Sequence, residues 1–196
     1  MLRVGLTGGL ASGKSTVAAR LAEKGAVVFD VDEIVAALYA PGAPGEAAAR
    51  ELFGDQIVDD HGAVDRAGLA QLVFANAEKR RALESRIHPL VPAEIERRFA
   101  EAERRGAAVA VVEASLLLEA KREGRYDRVL VVVAPEEERI RRWSEKGGDP
   151  QDARARIAAQ MAPEEALRRA TDVIVNDGTL EDLERKVDRL YDGWVG

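Results

Sequence analysis

The sequence predicts an α/β protein whose five-stranded parallel sheet is flanked by helices, and three observations carry that prediction. Five short runs of apolar and β-branched residues recur along the chain, with helical stretches between them. The three later runs hold almost no polar residues, as expected of parallel strands covered on both faces. A glycine-rich loop lies between the first run and the first helical stretch, where sheets of this kind open a ligand crevice.

Taken in order, the first strand is read at residues 4–7, Val-Gly-Leu-Thr, ending in the glycine loop. A helix follows over 14–24, with Val17, Ala18, Leu21 and Ala22 on one face and Gly25 as its stop. Residues 26–29 form a second buried strand closing on Asp30 and Asp32. A helix then runs to about Tyr39 and is broken by "PGAPG". From there to about Arg105 the pattern is almost wholly helical, interrupted at residues 58–62. Strand character returns at 107–112, 129–133 and 173–175, and a helix is expected between each pair of strands. The charged helices over 94–105 and 135–145 read as solvated faces.

Composition excludes several classes of function. The chain has 196 residues, 46% apolar and 33% charged, which suits one soluble globular domain. A formal charge of −6 argues against broad affinity for nucleic acid. The absence of cysteine removes disulfides, thiolate metal sites and cysteine nucleophiles. No apolar stretch approaches the length of a membrane span, and the N-terminus has strand character instead of a signal block, so a cytoplasmic location without membrane attachment is expected.

The loop "GGLASGKST" has the spacing G-x-x-x-x-G-K-[ST], from Gly8 through Gly13, Lys14 and Ser15. After a strand and before a helix, such a loop turns backbone N–H groups toward phosphate oxygens, and the helix N-terminus adds partial positive charge. Lys14, on an exposed loop, offers a mobile charge to the β- and γ-phosphates, and the Ser15 hydroxyl can ligate Mg²⁺. GTPases, motor ATPases and small-molecule kinases all share this device. No N/T-K-x-D guanine signature follows a later strand. Asp30-Val31-Asp32 ends the second strand, where a carboxylate can hold an acceptor hydroxyl; either acid can equally cap the helix that follows.

Here the chain resembles a known family. The stretches "VGLTGGLASGKSTVA", "VVFDVDEIV", "PGAPG", "LFGDQIVDDHGAVDRAGLAQLVF", "IHPLV", "SLLLE", "RVLVVVAPEEERIRRW", "RIAAQ" and "DVIVNDG" look, in this order, like dephospho-coenzyme A kinase. That family phosphorylates the ribose 3′-hydroxyl of dephospho-coenzyme A from ATP, completing coenzyme A. The resemblance implies a single P-loop domain of the nucleoside-monophosphate-kinase type. Its core would span about 1–45, 106–135 and 166–196, its helical acceptor-binding region about 46–105 and its lid about 136–165. It implies ATP and dephospho-coenzyme A as substrates, Mg²⁺ with the ATP, and a monomer. Gly8 and residues 11–16 (Ala11, Ser12, Gly13, Lys14, Ser15, Thr16) would wrap the ATP phosphates, with Asn176 in a loop against the adenine. Asp32 would orient and deprotonate the acceptor hydroxyl beside Asp30, while Arg66 and His88 fall in the acceptor-binding helices. The rival readings are another P-loop kinase for a nucleoside monophosphate or small alcohol, and an ATP-binding regulatory module without chemistry.

Three departures from the family pattern stand out. Ser115 replaces a proline before "LLxE", and Glu113 stands where many relatives carry Asp; with Ser15, Glu113 is the candidate metal partner. The lid shows Arg142 followed by Lys146 where relatives tend to show Arg-x-x-x-Arg. Arginine clamps phosphate bidentately and lysine does not, so Arg142 is the candidate lid cation. Arg139 and Arg141 are expected to be solvated on the same helix.

Overall fold

The computed structural model describes residues 1–59 and 63–196, and it divides into two compact units, residues 1–30 with 101–196 and residues 31–100. The first unit holds all five strands, β1 (Leu2–Gly8), β2 (Val27–Asp30), β3 (Val109–Glu113), β4 (Arg128–Val133) and β5 (Asp172–Val175). They pair in the order β2-β3-β1-β4-β5 and every pairing is parallel. All five therefore end at the same edge of the sheet, and the register sets Leu6 of β1 and Asp30 of β2 on either side of Glu113 of β3.

The helices of this unit follow sequence cues. Helix α1 (Lys14–Glu23) starts at the loop and buries Val17, Ala18 and Leu21 of the face read from its periodicity, whereas Ala22 is exposed. In the C-terminal half, α7 (Glu136–Glu145), α8 (Pro150–Ala159) and α9 (Pro163–Arg169) follow β4, α7 packs on α8 and α9 on β4, and α10 (Leu180–Val195) follows β5. Pro150 and Pro163 open their helices, where the missing N–H costs nothing. Helix α10 begins with a capping box between Thr179 and Asp182. Its Leu183, Val187 and Tyr191 join Val4, Leu6, Leu21, Val109, Val111, Leu130 and Val132 in one core.

The second unit is helical: α2 (Val31–Leu38), α3 (Pro44–Phe53), α4 (Arg66–Ala75), α5 (Ala77–Ile87) and most of α6 (Leu90–Arg104). Asp65 and Asn76 cap α4 and α5 through their side chains. Its separate core gathers Leu38, Ala49, Phe53, Ile57, Val64, Leu69, Leu83 and Ile87. Of the predicted break at 58–62, Val58 bridges Val64 in antiparallel fashion and residues 60–62 lie outside the described residues. No helix of the described residues is long and apolar enough to cross a membrane.

Three expectations are corrected. The connection from β3 to β4 is a series of turns with one 3₁₀ turn over Glu123–Arg125, not a helix. It is held in place because Leu117 and Leu118 pack on Val129 and Val131. The second and last strands are edges of the sheet, so β2 is only half-buried and Val173 and Val175 of β5 are exposed. Apolar composition alone does not separate a central strand from an edge.

Candidate active site

The loop after β1 combines two left-handed residues at alternate positions, Ala11 (φ 53°) and Gly13 (φ 98°), with a turn closed by Ser12 N–H donating to Gly9 O at 3.1 Å. Such alternation points successive N–H groups into one concavity, which suits an anion. Helix α1 starts immediately beyond, and no side chain caps it, so its first N–H groups remain available. Ser12 Oγ is buried and has no hydrogen-bond partner among the described residues.

Lys14 and Ser15 converge on the neighbouring strand end. Lys14 Nζ pairs with Glu113 Oε1, and Ser15 Oγ donates to the same oxygen at 2.9 Å. Lys14 is therefore not on an exposed loop: its side chain is 15% exposed and that of Glu113 8%. The reason is topological, because β3 lies directly beside β1 and ends level with Leu6. Ser15 and Glu113 thus supply two hard oxygens side by side. That fits Mg²⁺, which commonly takes one or two protein ligands and fills the rest with phosphate and water. Among the described residues no group of three or more His, Cys, Asp or Glu gathers as an all-protein metal cage.

Asn176, directly after β5, is buried against the far side of the loop. Its N–H donates to Val133 O at 2.7 Å and its Nδ2 to Ser12 O at 2.8 Å. Arg142 joins it, with Nη2 3.2 Å from Asn176 O and Nη1 3.5 Å from Ser12 O. Asn176 and Arg142 line a groove of about 450 Å³ that also includes Ala11, Thr16, Lys146 and Leu183. Gly13 is required here twice over. Its φ is left-handed, and an added Cβ would lie 2.2 Å from Asn176 Nδ2. Gly13→Ala is expected to destabilise the protein by about 1–2 kcal/mol from the backbone alone, and to displace Asn176. Thermal melting together with ATP titration reads both effects.

Of the remaining candidates, Asp30 sits at the end of β2 opposite Glu113. Asp32 is exposed in the first turn of α2, Arg66 opens α4 and is exposed, and His88 follows α5 with its N–H donating to Glu84 O at 2.8 Å. Near Arg66, the Tyr39 phenol is pushed up by burial, and the guanidinium charge opposes that shift. Asp32, Arg66 and His88 all belong to the helical unit. Ser115 is exposed just past β3.

One expectation about α7 is wrong. Arg141 is solvated and pairs with Glu138 and Glu145, but Arg139 is buried. Its Nε donates to Leu10 O at 2.8 Å and its Nη2 to Gln160 Oε1 at 2.7 Å. The signal was present in the sequence. Arg139 lies one residue from Ile140 and one turn from Trp143, on the helix's inward stripe. Neither Gly9 nor Gln160 was singled out by sequence reading, although both meet Arg139.

Comparison with known proteins accords with this geometry. The family profile described as dephospho-CoA kinase matches residues 2–182. Dephospho-CoA kinase of Corynebacterium glutamicum is 44% identical over 191 residues, 97% of this chain and 96% of that protein. The crystal structure of TT1252 from Thermus thermophilus superposes with a TM-score of 0.80 at 38% identity, covering 100% of this chain and 98% of that one. Dephospho-CoA kinase from Campylobacter jejuni shares the fold with a TM-score of 0.71 at 22% identity, over 98% of this chain and 97% of its own. With a parallel five-stranded sheet, a phosphate loop and Glu113 at its side, and a family match spanning nearly every element, the chain belongs to the dephospho-CoA kinase family.

Proposed function

We propose that this chain transfers the γ-phosphoryl group of ATP to the ribose 3′-hydroxyl of dephospho-coenzyme A, giving ADP and coenzyme A. Family membership supports the reaction, and one observation supports the place of the chemistry. Lys14 and Ser15, at the uncapped N-terminus of α1, both meet Glu113 at the carboxyl ends of β1 and β3.

Phosphoryl transfer asks the protein mainly for positioning and charge neutralisation. The N–H groups of residues 11 and 13–16 and the Ser12 hydroxyl receive the phosphate chain, whose negative charge suits the α1 N-terminus. Lys14 turns from Glu113 to the β- and γ-phosphates. Ser15 and Glu113 would hold the Mg²⁺ that accompanies ATP, and the ion would supply positive charge against that developing on the phosphates. Asn176 and the groove beside it take the adenosine part, and Arg142 adds a cation there. Asp32 accepts the proton of the 3′-hydroxyl as its oxygen attacks the γ-phosphorus and the bond to ADP breaks. Asp30, Arg66 and His88 are assigned to the acceptor, and the helices over 136–165 to a lid.

An acceptor screen tests the reading. Purified protein with Mg-ATP is offered dephospho-coenzyme A, AMP, adenosine and shikimate, and product formation is followed. Dephospho-coenzyme A is expected to react at least ~10²-fold faster, since a site built for a larger acceptor gains binding energy that fragments lack. If AMP or a simple alcohol is the best acceptor, the substrate assignment is wrong although a kinase remains. A milder effect is expected at Arg142, whose bonds to Asn176 and Ser12 are long. Arg142→Ala should raise the KM for ATP by roughly ten-fold or less, as steady-state kinetics with varied ATP would show.

A further inference from the structure

Beneath the loop lies a closed hydrogen-bond ring that the reaction outlined above does not use. Leu10 N–H donates to Gln160 Oε1 at 3.0 Å, Arg139 Nη2 donates to the same oxygen at 2.7 Å, and Arg139 Nε donates to Leu10 O at 2.8 Å. Both backbone groups of Leu10 are thereby satisfied by side chains from α7 and from the residue after α8. The oxygen of Gln160, not its NH₂, must point inward, because both its neighbours are donors.

Three features separate this ring from an ordinary surface contact. Arg139 is 7% exposed, and among the described residues no carboxylate approaches it within 4.0 Å. An arginine buried without an ion pair is costly unless its donors are used. Gly9 is not one of the two glycines fixed by the motif spacing, yet a Cβ there would lie 2.3 Å from Arg139 Nη2 and 2.9 Å from Gln160 Oε1. The second glycine of "GG" therefore makes room for the guanidinium. Finally, Leu10 immediately precedes Ala11, the non-glycine residue held at φ 53°. A conformation disfavoured for alanine needs outside support, and Leu10 is where the ring takes hold.

We infer that Arg139 and Gln160 are positioning residues that fix the peptide groups of Leu10, and so hold the phosphate loop in its anion-receiving shape before ATP arrives. The inference rests on the reading that residues 11–16 bind the ATP phosphates. Arg139 acts through its planar fork, which serves two acceptors at once, and not as a point charge. Gln160 acts through one oxygen, which a carboxylate can replace.

Calorimetric titration with Mg-ATP and with Mg-tripolyphosphate, each paired with a melting curve, tests this. Gln160→Leu is expected to weaken both ligands about ten-fold, roughly the effect of losing a charge-assisted hydrogen bond. Gln160→Glu should restore most of that loss. Arg139→Lys should behave like Gln160→Leu, since lysine keeps the charge but cannot bridge Leu10 O and Gln160 Oε1. Should Gln160→Leu melt below the assay temperature, Arg139→Lys against Gln160→Glu still decides. Lower Tm in these variants with ATP affinity within two-fold of the parent would leave the ring a purely structural element and overturn the inference. So would normal affinity in Arg139→Lys, which would make the residue a simple cation. A parent protein that bound neither ligand would instead overturn the phosphate-loop reading itself.

Discussion

Replacing Lys14 with Met is expected to lower turnover by ~10²-fold or more, because one contact that stabilises charge in the transition state is removed. The same change has a structural cost. Lys14 and Glu113 are paired and mostly buried. Loss of the ammonium leaves Glu113 with the Ser15 hydroxyl as its remaining partner of the two. An under-compensated buried group costs about 1–3 kcal/mol, which in a chain of this length lowers Tm by roughly 2–10 °C. A second variant separates the two effects. Lys14→Met with Glu113→Gln removes the stranded charge, so it should recover Tm while turnover stays low. Turnover near normal in Lys14→Met, measured below its Tm, would mean that the loop does not hold the transferring phosphate.

Asp32→Asn is expected to lower turnover by roughly 10²–10⁴-fold, the usual contribution of a positioned general base. Asparagine keeps the size of aspartate but cannot take the proton. ATP affinity should stay close to normal, because the phosphates are assigned to residues 11–16. The competing role is support of the helix N-terminus, since Asp32 lies in the acidic first turn of α2, one position inside its start. Loss of a charge there costs at most about 1 kcal/mol, so that role would leave turnover almost unchanged and Tm only slightly lower. Because Asp32 is exposed, its replacement should not disturb a core. Turnover, ATP affinity and Tm measured on this one variant therefore discriminate, and unchanged turnover removes Asp32 from the chemistry.

The local parts of the protein were legible in its sequence. Hydrophobic period and punctuation located β1, α1, β3 and β4 to within two residues or so, since runs such as "VAVVE" and "RVLVVV" have few alternatives. Spacing, with a strand before it and a helix after, pointed to the phosphate loop, because the left-handed Gly13 and the place of Lys14 at the start of α1 are fixed within a few residues. The order of stretches along the chain was enough to suggest the family.

What the tertiary structure decided are relations between residues far apart in the chain. That Lys14 is covered instead of exposed follows from the order β3-β1, which sets Glu113 beside it across 99 positions. That Asn176 braces Gly13 depends on where β5 ends relative to the loop, 164 residues from Ser12. Arg139 shows the distinction most clearly. The sequence determined that α7 is a helix with three arginines among acids, and periodicity sets Arg139 beside Ile140 on the inward stripe, but composition alone cannot say what lets that guanidinium leave water. Arg141 finds Glu138 and Glu145 within its own helix and stays solvated. Arg139 turns inward because its acceptors, Leu10 O and Gln160 Oε1, are brought to it only when β1 and α8 have packed. Local periodicity is written in neighbouring residues; the partners that make a buried charge tolerable are assembled by the fold.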